Sequence, residues 1–69
     1  MRDQLERLVQ EMLDRGVLYD DARREFEKMF ITRALQRSNG SVGNAADLLG
    51  LHRNTVARKM AEYRIRRAG

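Results

Sequence analysis

A chain of 69 residues with no cysteine and one histidine has neither disulfides nor a zinc-type ligand set, yet alone removes only about 60% of its unfolded surface, so self-association is the expected support. Hydrophobic residues at 42% and charged residues at 35% argue against disorder; no apolar run reaches the roughly 20 residues of a membrane span, and the N-terminus lacks the apolar core of a secretory signal, so a cytoplasmic protein is expected. Residues 1–31 carry six Lys/Arg against eight Asp/Glu, a net of −2, whereas residues 32–69 carry eight against two, a net of +6; the basic half is either suited to a polyanion or an ordinary solvated face.

With no proline, glycines punctuate the chain, and they divide it into helical segments. Leu5, Leu8, Val9, Met12 and Leu13 follow the spacing of an amphipathic first helix, which Gly16 ends with Val17 set against Met12. Asp20 and Asp21 are expected to supply the N-cap and the negative charge for a second helix running to Arg37. Its Ala22, Phe26, Met29 and Phe30 form one apolar stripe, and Ile31, Ala34 and Leu35 widen it beyond what one neighbouring helix covers. The second helix therefore serves two surfaces, one against its own C-terminal unit and one against a partner chain. After Ser38-Asn39-Gly40, Ser41 caps a short third helix containing Ala45, Ala46, Leu48 and Leu49; Gly50 closes it and Leu51 folds back on Ala46. A fourth helix begins near Arg53 and buries Val56, Met60 and Tyr63. In the tail Arg64-Ile65-Arg66-Arg67, Ile65 is expected to anchor to the core, with the arginines either solvated or set against phosphate.

A short helix, a glycine turn and a second amphipathic helix make the layout of a helix-turn-helix. Ala46 is small enough for a close crossing, Gly50 can take the left-handed turn conformation, and Val56 locks the second helix inward. If Val56, Met60 and Tyr63 face inward, Arg53, Asn54, Ala57, Arg58 and Ala61 lie on the outer side. Arginine can bond two acceptors on guanine and asparagine can read adenine, so this side suits a DNA major groove; an exposed first turn and plain helix propensity of the alanines are the blander alternatives. Thr55, Lys59 and Ser41 suit phosphate contact, Ser41 in addition to its capping role. His52 falls at the N-cap of the fourth helix, more simply a structural position than a pH switch. With no glycine-rich phosphate loop and no evident carboxylate pair, an enzyme is not expected, nor is any cofactor or metal.

The stretch from Asn39-Gly40-Ser41 through Ala45-Ala46-Asp47-Leu48-Leu49-Gly50-Leu51-His52-Arg53-Asn54-Thr55-Val56-Ala57-Arg58-Lys59-Met60-Ala61-Glu62-Tyr63 resembles the helix-turn-helix of the Fis family (factor for inversion stimulation). It is also similar to the C-terminal DNA-binding domain of enhancer-binding activators of the nitrogen-regulation type. The resemblance implies an all-α fold of four helices in an intertwined homodimer, with dimerisation helices over residues 1–38 and a helix-turn-helix over 41–64. It implies double-stranded DNA as partner, two units set in successive major grooves of bent DNA, and RNA polymerase or another transcription protein as a further partner. Arg53 matches the family arginine that reads a base, Asn54, His52 and Arg58 are the further residues expected to read bases, and Thr55 and Lys59 match backbone-contacting positions. Leu8, Met12, Phe26, Met29 and Phe30 are the expected dimer interface. His52 stands where Fis has asparagine, Ala57 replaces an arginine and Gly43 a threonine, departures that bear on sequence preference. The N-terminal arm with which Fis stimulates recombination has no counterpart before the first helix, so that activity is not expected. The alternatives are the detached DNA-binding domain of a larger activator, or a helical dimerisation module that binds an acidic partner.

Overall fold

The computed structural model describes residues 2–66 and holds four helices: α1 (Arg2–Asp14), α2 (Tyr19–Arg37), α3 (Val42–Leu49) and α4 (Arg53–Tyr63). No strand occurs among the described residues, so the fold is all-α as the periodicity implies. Arg67 of the basic tail lies outside the described residues. Among those described, no helix is long and apolar enough to cross a membrane.

α1 ends as its sequence predicts. Gly16 takes φ +75°, the Val17 N–H donates to the Met12 carbonyl at 2.9 Å, and the Gly16 N–H donates to the Leu13 carbonyl at 3.1 Å, which closes the last turn. The start of α2 differs from expectation. Its N-cap is Leu18, which offers no side-chain acceptor, and Asp20 and Asp21 lie inside the first turn. There their negative charge still favours the positive end of the helix. Asp20 is turned to Arg23, which donates to it at 3.1 and 3.2 Å, and lies 3.5 Å from Arg24. The helix begins at Tyr19, one residue before Asp20, so that carboxylate lies within the first turn and pairs along the helix with two guanidiniums.

The buried core consists of Ile31, Ala34 and Leu35 from α2, Ala45 and Ala46 from α3, and Val56 and Met60 from α4, with Val42, Leu49 and Ile65 packed on its edge. Ile65 thus anchors the tail, and its N–H donates to the Met60 carbonyl at 2.8 Å. α1 contributes no buried residue. The single wide stripe read along α2 is in fact two. At 100° per residue, Ile31, Ala34 and Leu35 centre roughly 140° away from Phe26, Met29 and Phe30. The first set is buried, whereas Phe26 is 55%, Met29 62% and Phe30 52% exposed. The Phe26 and Phe30 rings meet edge to face at 5.2 Å, and with Leu8 and Met12 they line an apolar trough along the α1–α2 hairpin.

Candidate nucleic-acid interface

The turn that sets α4 against α3 is built from backbone conformation. Ser41 caps α3 by accepting the Asn44 N–H on its Oγ at 3.2 Å, which satisfies one of the free donors of the first turn. At the other end Gly50 takes φ +70°, and the Leu51 N–H reaches back to the Ala46 carbonyl at 3.0 Å. Nothing lies within 4 Å of where a Cβ at Gly50 would stand, so glycine is required there by its left-handed φ rather than by space. The Leu51 side chain stays exposed, and its fold-back is made by the backbone.

His52 is the N-cap of α4: its Nδ1 accepts the Asn54 N–H at 3.1 Å, and its carbonyl accepts the Val56 N–H at 3.2 Å. With Nδ1 acting as acceptor, the neutral ring carries its proton on Nε2, a donor on an exposed imidazole. Val56 is fully buried and Met60 nearly so, which fixes the roll of the helix. Arg53, Asn54, Ala57, Arg58 and Ala61 are all exposed. The outer side of α4 therefore presents the Asn54 amide and the Arg58 guanidinium over two alanines that keep the surface low, and Arg53 stands exposed with the His52 ring at the start of the helix.

Tyr63 only partly follows the inward row. Its ring is half-buried and its hydroxyl donates to Glu27 Oε1 of α2. Glu27 is also the partner of Lys59, whose Nζ donates to Oε2 at 2.9 Å, and of Arg23, whose Nη1 lies 3.4 Å from Oε1. The hydrogen bonds from Tyr63 and Lys59 hold the Glu27 carboxyl below its ordinary pKa, and the bond to the carboxylate pushes the Tyr63 phenol up. Lys59, expected on phosphate, thus stands in an ion pair with both side chains about a quarter exposed (24% and 25%).

His52, Arg53, Asn54 and Arg58 are all exposed along the first half of α4, Thr55 is half-buried along the flank that leads to Lys59, and Ser41 stands at the start of α3. Leu8, Met12, Phe26, Met29 and Phe30 gather elsewhere, on the hairpin. Glu27 is the residue that sequence reasoning missed. A signal was available: Glu27, Ile31 and Ala34 fall at i, i+4 and i+7, so an acid extends the buried stripe of α2. What it would meet there, 32 and 36 residues further on, was not legible.

Comparison with known proteins agrees with this geometry. Residues 22–63 match the family model described as bacterial regulatory protein, Fis family, and the match runs from the first turns of α2 to the end of α4. The chain is similar to a Fis-like DNA-binding protein of Xylella fastidiosa (strain Temecula1 / ATCC 700964), 38% identical over 50 residues, which covers 72% of this chain and 56% of that protein. The chain therefore spans little more than half the length of that relative. No solved structure matches it. With more than half of its residues within the family model and the helix-turn-helix in place, the chain belongs to the Fis family of bacterial regulatory proteins.

Proposed function

We propose that this chain acts as a homodimeric, sequence-biased DNA-binding regulator that inserts the N-terminal half of α4 into the major groove and bends the DNA it holds. The observation that carries the reading is the roll of α4: Val56 and Met60 are buried while Asn54 and Arg58 stand exposed on the opposite side, with Arg53 exposed in the first turn. Arg53 and Arg58 can each pair with the O6 and N7 acceptors of guanine, Asn54 with adenine, and the His52 Nε2–H with a single acceptor. Thr55 and the capped start of α3 at Ser41 lie on the phosphate rails, and Lys59 follows once it leaves Glu27. The name of the Xylella relative is consistent with this partner.

Dimerisation is supported by the apolar trough of Leu8, Met12, Phe26, Met29 and Phe30, an uncovered hydrophobic surface of the kind that marks interaction sites. A symmetric pair of chains would present two α4 helices to one face of the duplex, about one helical turn apart.

A fluorescence-anisotropy titration over a range of salt tests the proposal, with duplexes selected from a random pool. Affinity should fall with salt at a log–log slope of about −0.9 for each phosphate neutralised. Arg53→Ala should lose roughly 1–3 kcal/mol of discrimination at one base pair while retaining non-specific binding. Salt-insensitive binding, or a variant that keeps full site preference, would count against it.

A further inference from the structure

The Glu27 carboxylate lies on α2, outside the set that faces DNA, yet it holds a lysine of the recognition helix. We infer that Glu27 competes with the DNA backbone for Lys59, so that binding exchanges an intramolecular ion pair for a phosphate contact and Glu27 lowers affinity evenly over all sequences.

Three features carry this. First, Lys59 and Tyr63 are i and i+4 on α4, and Glu27 bridges them with one oxygen each, so the lysine is drawn toward α2 rather than left along the outer side. Second, the pair is half-buried but not sealed: at 24% and 25% exposure, the ammonium group can be reached and exchanged. Third, Arg53 and Arg58 have no ion-pair partner among the described residues, whereas Lys59 does. The cations of α4 therefore fall into two kinds. The arginines meet the duplex without losing a contact, and the lysine must first give one up. Phosphate carries no base information, so a toll on this contact alters strength and leaves preference untouched. Arg23 and Tyr63 keep the carboxylate partnered after Lys59 leaves, which makes the exchange feasible.

The inference rests on the DNA-binding reading above, and a double-mutant cycle of the full chain separates the two. Glu27→Gln, Lys59→Gln and the double variant are titrated with a selected duplex and a scrambled one at about 0.15 M salt, where the screening length of roughly 8 Å suppresses the distant effect of a single charge. Glu27→Gln should bind both duplexes about two- to fivefold tighter, the scale of one partly exposed ion pair. Lys59→Gln should weaken both, and in its presence Glu27→Gln should have no effect. Should Glu27→Gln melt before it can be titrated, Glu27→Asp, which draws the carboxylate back by one methylene, takes its place in the cycle. Weaker binding by a folded Glu27 variant would mean that Glu27 only holds α4 in place and would overturn the inference. Equal tightening with and without Lys59, or tightening at one duplex alone, would do the same. A native chain that binds neither duplex would bring down the functional reading and this inference together.

Discussion

The α1–α2 hairpin and the α2–α3–α4 unit are of similar size and both are wholly helical, yet they solve the problem of burial in opposite ways. The C-terminal unit closes on itself: Leu35 is 2% exposed, Ala45 and Val56 are fully buried, and the tail returns through Ile65 to cover an edge. The hairpin closes on nothing. Leu5, Leu8 and Val9 are each nearly half exposed, and the middle of α2 holds its two phenylalanines toward solvent. Hydrophobic burial contributes about 25 cal/mol per Å2 of apolar surface, so a hairpin that leaves this much uncovered gains little from folding alone. The 69-residue chain therefore keeps its enclosed core in one half and its uncovered apolar surface in the other.

Placing a charge on the hairpin should break that contrast most severely. Phe30→Asp or Phe26→Asp would put a carboxylate into the apolar trough; sedimentation velocity should then show loss of assembly, with helical content falling chiefly in α1 and early α2. A native chain that sediments as a folded monomer at micromolar concentration would remove the reason for the exposed stripe. In the closed half, Leu35→Ala should cost about 2–5 kcal/mol, read from denaturant melts, because a fully enclosed site relaxes little around the cavity. The same truncation at Leu13, 69% exposed, should cost far less in a monomeric state.

Smaller effects sharpen the comparison inside the closed half. Ser41→Ala removes the acceptor for the Asn44 N–H and should cost about 1 kcal/mol of stability, with DNA affinity falling further only if the capped turn also meets phosphate. The smallest effect concerns pH. Since the folded-state pKa of Glu27 is depressed, its contribution is fully present above the ordinary carboxylate value of about 4.3 and is lost as pH falls through the depressed value. Acid melts of the native chain and of Glu27→Gln should therefore differ near neutral pH and draw together as pH falls through the depressed value of Glu27, a small effect for a pair this exposed. Tyr63, whose pKa is raised, would release the same bond at the alkaline end as pH rises through its folded value.

Much of this was legible beforehand, and the readable features share a cause. Gly16, Gly50, Ser41 and His52 act through bonds to residues two to five positions away, so their roles follow from local backbone geometry. The inward turn of Val56 and Met60 follows from helical periodicity. The Asp20 and Asp21 cap differed because the helix begins at Tyr19, which puts both acids inside the first turn, where Asp20 pairs with two arginines instead of capping.

The sequence by itself determined four helices, where the first three stop, and that Val56 and Met60 of the last one turn inward, because these depend on hydrogen bonds and spacings within a turn or two. Only the tertiary structure decided that the apolar residues of α2 belong to two separate surfaces, and that Lys59 and Tyr63 are tied to Glu27 rather than left to solvent. Those outcomes depend on how whole helices cross, and a crossing brings together side chains whose separation along the chain carries no record of their meeting.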